Sequence, residues 1–239
     1  MAGHSKWANI KHKKGKVDAA KGKVFTKVTK EIINAVKAAG PDPKTNPKLR
    51  MAIQKAKAVN LPSDNIERNI KKAMSKDQES YSEITYELYG HGGVGILVEI
   101  MTDNKNRISS DMRIATNKRG GTIATPGSVA FNFDKKGVIE VPKESIDEDK
   151  LLSVASEAGA EDMETLEDLF ILITAPEDLY KVKEALDAHA YPAQNVRFQM
   201  FPKTIICCDE ETKKANSALI EWLEALDDVD EVYHNMSDE

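Results

Sequence analysis

The chain has 239 residues, 41% of them hydrophobic and 31% charged, with 34 Lys+Arg against 39 Asp+Glu and a formal net charge of −5. That length suits one or two domains, and the apolar share excludes a wholly disordered chain. No run approaches the roughly 18 apolar residues of a membrane span, and no apolar stretch follows the basic N-terminus as a secretory signal requires.

Residues 1–49 contain no arginine, which argues against a mitochondrial presequence, so the expected location is the cytoplasm with no membrane partner. The modest net charge hides a division. Residues 1–76 hold 19 Lys+Arg and 5 Asp+Glu, a net +14, while the other 163 residues hold 15 and 34, a net −19. Such asymmetry points to a polyanion-binding part joined to an acidic body.

In chain order, residues 1–16 show no apolar periodicity and read as an arm. A helix is expected from about Val17, where Phe25, Val28, Ile32 and Val36 share a face, and Gly40 with Pro41 and Pro43 ends it. A second helix carries Leu49, Ile53 and Ala56. A third is expected to be capped by Ser63 or Asp64, with Glu67 completing a capping box and Ile66, Ile70 and Met74 as its stripe. After a polar linker, "ITYELYG" and "VGILVEI" read as a hairpin, followed by a helix capped at Asp103 or Asn104 and closed by Gly120 and Gly121.

A second hairpin is expected at "VAFNFDKKGVIEV", turning at Asp134–Gly137. A helix, a strand pair, a helix and a strand follow. A strand at Thr204–Cys208, a helix through Trp222 and a strand at "VDEVYHN" finish the chain. Adjacent Cys207 and Cys208 on such a strand point to opposite faces and make no disulfide.

The predicted class is α+β and multidomain: a three-helix domain plus two ferredoxin-like, open-faced α/β sandwiches, the third inserted into the second. The expected boundaries are 1–76, then 83–127 plus 203–239, with 128–202 inserted. Residues 128–202 supply two hairpins and two helices, and 83–121 supply half a sandwich that the final 36 residues complete.

"GHGGVG" at Gly90–Gly95 matches G-x-G-x-x-G, yet a strand follows it where the dinucleotide fingerprint requires a helix N-terminus. The glycines are expected to make a tight hairpin turn, with His91 solvated in it. No nucleophile elbow, zinc motif, P-loop or calcium loop is present, so no enzyme, cofactor or metal is expected.

The arm is what remains. Lys6, Lys11, Lys13, Lys14, Lys16, Lys21 and Lys23 face a single acid, Asp18, across that stretch. Phosphate relieves their repulsion by releasing condensed counterions. Trp7 has little apolar company and suits stacking on an unpaired base, with His12 beside it and Lys27 further along. A weaker basic site is expected at Lys105, Arg107 and Arg113, where a helix N-terminus adds amides for phosphate.

"MAGHSKWANIKHKKGKVDAAKGKVFTKVTKEI", "NPKLRMAIQKAKAVNLPSDNIERNIKKA", "YELYGHGGVGILVE" and "TDNKNR" closely resemble the YebC/PmpR family, over essentially the whole chain. The resemblance implies a helical N-terminal domain followed by two α/β domains. It also implies a transcriptional regulator that binds DNA. The mitochondrial relatives resemble translational activators of cytochrome c oxidase, and bacterial members are linked to the ribosome. Two readings therefore stand: a DNA-binding regulator, or a translation factor holding ribosomal RNA through its arm. An enzyme using the cleft between the α/β domains is the third.

Overall fold

The computed structural model describes residues 21–75 and 80–237. Its helices and strands, in chain order, are α1 (Lys21–Ala39), α2 (Pro47–Ala58), α3 (Ser63–Ala73), β1 (Ser82–Tyr89), β2 (Gly95–Thr102), α4 (Lys105–Arg119) and β3 (Thr122–Ile123). They continue as β4 (Phe133–Pro142), α5 (Glu148–Ala158), β5 (Ala160–Thr165), β6 (Leu169–Thr174), α6 (Leu179–Ala188), β7 (Asn195–Pro202), α7 (Glu210–Ala225) and β8 (Val229–His234). The protein is α+β, with one α/β sandwich spliced into another. Asp134–Phe201 form one compact unit, and the described residues up to Phe133 form a second with those from Pro202 onward.

In the second of these, α1, α2 and α3 enclose a core of Val28, Ile32, Val36, Leu49, Ala56 and Ile66. These are the residues whose three- and four-residue spacing marks one face of each helix. Asn46 joins two helix ends. It is fully buried, its Oδ1 accepts from Leu49 N at 3.0 Å, and its Nδ2 donates to the carbonyls of Ala35 and Gly40, each at 2.8 Å. One side chain thus caps α2 and satisfies carbonyls at the end of α1.

The expected capping box on α3 does not form. Pro62 takes the cap position with φ −57° and no side-chain bond, which puts Ser63 and Asp64 inside the first turn. Met74 is also not part of the stripe: α3 ends at Ala73, and Met74 is 61% exposed.

The first sheet has the order β3-β1-β2-β8. β1 and β2 pair antiparallel from Ser82↔Thr102 to Tyr89↔Gly95, and β8 from the C-terminus pairs antiparallel with β2. Ile108, Met112 and Ala115 of α4 pack with Leu219, Ile220 and Leu223 of α7 against Leu88, Ile96, Val98 and Ile100. Each such large side chain contributes roughly 1.5–3 kcal/mol by leaving water.

The glycine-rich segment is a strand-to-strand turn, with Gly92 at φ +65° in the left-handed region. Buried Asn216 of α7 holds it: Oδ1 accepts from His91 N at 2.8 Å, and Nδ2 donates to His91 O at 3.0 Å. The glycines lead into β2, where the dinucleotide fingerprint requires a helix N-terminus.

The inserted unit runs β4-α5-β5-β6-α6-β7 with sheet order β5-β6-β4-β7, the ferredoxin-like arrangement. Two expectations are corrected. The hairpin at Asp134–Gly137 is absent, because β4 runs straight through it. Gly137 instead permits a close approach: a Cβ there would lie 2.3 Å from Thr174 Oγ1 and 2.8 Å from Leu179 Cδ1. The strand at Thr204–Cys208 reduces to a single parallel bridge, Ile206↔Met236. Both thiols are free, with Cys207 exposed and Cys208 partly buried.

Candidate nucleic-acid interface

Of the residues singled out in the sequence, Lys6, Trp7, Lys11, His12, Lys13, Lys14 and Lys16 lie outside the described residues. Lys21 and Lys23 belong to the first turn of α1. The remaining four fall into two pairs.

Lys27 and Arg107 each pair with carboxylates of the chain itself. Lys27 Nζ lies 2.8 Å from Glu231 Oε1 and also donates to the Asp230 carbonyl. Desolvation acts to lower its pKa, but Glu231 and Asp230 outweigh this and raise it. Arg107 reaches Asp228 Oδ2 through Nε at 2.9 Å and Nη2 at 2.6 Å, and Asp103 Oδ1 at 2.7 Å. The amides at the start of α4 are also taken, since Asn104 Oδ1 accepts from Asn106 N at 3.1 Å and Arg107 N at 3.0 Å. Lys105 and Arg113 are exposed and make no ion pair among the described residues.

Asp228 is the centre of a joint that composition conceals. It is 4% exposed and also accepts from buried Lys30 at 3.0 Å and from Thr102 Oγ1 at 3.0 Å. Lys30 Nζ donates further to the carbonyls of Met101 and Asp227, each at 3.1 Å. Burial pushes the Asp228 carboxyl up, but bonds from Lys30 and Arg107 prevail and hold it below the usual range. Two lysines of the basic module, Lys27 and Lys30, therefore fasten α1 to Glu231 and Asp228 near the C-terminus.

α1 and α3 flank a groove of about 340 Å³, lined by Phe25, Thr29, Leu61, Asn65, Arg68 and Asn69 among others. Sequence reasoning missed it. The signal was the polar set Asn65, Arg68 and Asn69, spaced so that all three share one face of α3. Also missed was Glu87, 7% exposed, whose carboxylate accepts from Val129 N at 2.6 Å, Ala130 N at 2.8 Å and Gly127 N. It pins the loop that leads to Phe131, a side chain 70% exposed.

These parts define a class: an α+β protein in which a lysine-rich helical module precedes two α/β sandwiches, one inside the other. The chain belongs to the TACO1/YebC family. Residues 5–76 match the model of its N-terminal domain, and residues 81–236 match that of its second and third domains. It is 62% identical to a "Probable transcriptional regulatory protein" of Protochlamydia amoebophila, over 99% of this chain and 96% of that one. It is 58% identical to a protein of the same description from Chlamydia trachomatis serovar L2, over 99% of this chain and 100% of that one. The crystal structure of a conserved hypothetical protein from Aquifex aeolicus shares 44% identity and superposes with a TM-score of 0.85, covering 98% of this chain and 97% of that one.

Proposed function

We propose that the protein is a non-enzymatic, DNA-binding regulator of transcription. The observation that carries this reading is the charge division, +14 over residues 1–76 against −19 over the rest. A polyanion is the partner that relieves the first without being repelled from the whole. The names of the relatives in Protochlamydia and Chlamydia support the regulatory role.

In this reading Lys6, Lys11, Lys13, Lys14, Lys16, Lys21 and Lys23 neutralise phosphates, with Trp7 and His12 supplying aromatic faces. Lys105 and Arg113 add a peripheral contact. The acidic body limits indiscriminate adhesion, since its net negative charge repels phosphate wherever the basic module is not engaged.

A second reading, a translation factor holding ribosomal RNA through the same arm, is favoured by one observation. The α1–α3 groove offers amides beside an aromatic ring, chemistry suited to unpaired bases. Crosslinking in cells followed by sequencing of the bound nucleic acid separates the two. Enrichment of discrete chromosomal sites supports the first reading, and enrichment of ribosomal RNA replaces it with the second. Recovery of neither nucleic acid above background overturns both.

A further inference from the structure

We propose that the groove between α1 and α3 is a binding site for a single unpaired nucleotide, in which Asn65 and Asn69 read the base, Phe25 stacks on it and Arg68 holds its phosphate. This rests on the nucleic-acid reading above and adds to it a component selective for single strands.

The argument starts from α3. Asn65, Arg68, Asn69 and Lys72 fall at spacings of three and four and share one face of the helix, with Glu67 on another and Asp64, four positions before Arg68, at the edge of that face. The α3 side chains that line the groove are two amides and one cation, those of Asn65, Asn69 and Arg68. Ile66 and Ala73 occupy the third face and are buried in the helical core.

The opposite wall comes from the N-terminal half of α1. Phe25 packs partly against the core and also lines the groove, so part of its ring remains available. Leu61, 6% exposed, contributes an apolar wall. Asn69 Nδ2 lies 3.5 Å from Thr29 Oγ1, and its carbonyl oxygen has no hydrogen-bond donor among the described residues. The Asn65 amide and the Arg68 guanidinium have no hydrogen-bond or ion-pair partner among the described residues.

Each feature has a counterpart in a nucleotide. A carboxamide presents a donor and an acceptor side by side, matching the edge of a base, and two of them one turn apart offer more than one register. An aromatic face accepts any base by stacking. A guanidinium matches phosphate oxygens in a two-pronged geometry. The groove volume of about 340 Å³ lies at the small end of ligand sites, which suits one nucleotide.

Charge complementarity supports the same occupant: residues 21–75 carry 13 Lys+Arg against 4 Asp+Glu. The groove also opens beside the first turns of α1, where the lysine-rich arm joins the helix.

The test measures the affinity of the intact full-length chain for oligoadenylate, for oligodeoxyadenylate and for a mixed-sequence DNA duplex at one ionic strength. The same titrations are then repeated with Asn65→Ala/Asn69→Ala. Loss of two base-edge contacts is expected to weaken both single strands by about thirtyfold, the low end of the range for two such contacts, with duplex affinity nearly unchanged. Arg68→Ala is expected to flatten the log–log salt slope on single strands by about 0.7. Phe25→Leu, which keeps an apolar side chain in the core, is expected to weaken single strands only. Melting temperatures of the variants control for folding.

A double variant whose ratio of single-strand to duplex affinity equals that of the intact chain overturns the groove assignment, and duplex binding in that same experiment leaves the wider reading standing. An intact chain that binds the duplex but neither single strand does likewise. An intact chain that binds no nucleic acid overturns both. Loss confined to the ribo strand supports the site with RNA as its source, and equal loss on ribo and deoxy strands supports it for either source.

Discussion

Replacing Asp228 with alanine tests the joint between the helical module and the acidic body. Asp228→Ala removes the carboxylate that Lys30, Thr102 and Arg107 share and leaves the Lys30 ammonium buried at 7% exposure with the Met101 and Asp227 carbonyls and the face of the Tyr81 ring. Stranding a buried charge by removing its partner costs about 3–5 kcal/mol. Arg107 adds little to this, because its side chain is 47% exposed and keeps Asp103. Expected, then, is a loss of about 3–5 kcal/mol for Asp228→Ala and a smaller one, about 2 kcal/mol, for Lys30→Met, which leaves Asp228 its other partners.

The double variant should cost less than the sum of the two, since neither charge is then left alone. Urea unfolding is the assay, followed by fluorescence of Trp222, which packs against the core of the first sheet. A Trp7→Phe background removes the other tryptophan. The folded pKa of Asp228 is depressed, so its contribution is full above the ordinary value of 3.8 and is lost as pH falls through the folded value. The gap between intact chain and variant should therefore persist at neutral pH and close only in strong acid. A cost below about 1 kcal/mol for Asp228→Ala, typical of a surface ion pair, would refute this reasoning.

Other substitutions probe the remaining buried polar groups. Asn46→Ala should cost about 3 kcal/mol, from a lost helix cap and two stranded carbonyls, read as a lowered urea midpoint. Glu87→Ala strands three amides, and amide hydrogen exchange at Gly127, Val129 and Ala130 should accelerate at least about tenfold; unchanged protection there would dismiss the clamp. Asp230 has its carboxyl raised to about 6, by burial first, with Lys27 opposing and Glu31 adding to the rise. Because the folded form holds that proton more tightly, stability falls as pH rises from 3.8 to about 6. Asp230→Asn should accordingly raise the melting temperature at pH above 6 and have no effect in acid; a constant effect across pH would contradict it.

Much of the fold was legible because it rests on periodicity. The α1 stripe of Val28, Ile32 and Val36, the β1–β2 hairpin and the α4 cap at Asn104 all follow from local pattern and capping chemistry. What failed did so where tertiary contacts override local preference. Gly137 resembles a turn glycine, yet it serves the approach of Thr174 and Leu179, residues more than thirty positions away. Asp64 and Glu67 spell a capping box that Pro62 pre-empts.

The basic residues divide in the same manner. Lys27, Lys30 and Arg107 look like their neighbours in the sequence, and only the fold brings Asp228 and Glu231, some two hundred and one hundred and twenty positions distant, onto them. Asn65, Arg68 and Asn69 carried a legible polar spacing, but nothing local announces Phe25 as the opposite wall.

The account depends most on the arm. The direct measurement is the dependence of DNA affinity on salt for the intact chain and for Lys11→Ala/Lys13→Ala/Lys14→Ala/Lys16→Ala. Neutralising about six phosphates predicts a log–log slope near −5 for the intact chain, and losing four of those contacts predicts a slope near −2 with an unchanged melting temperature. An identical slope and affinity for the two proteins would contradict the central claim.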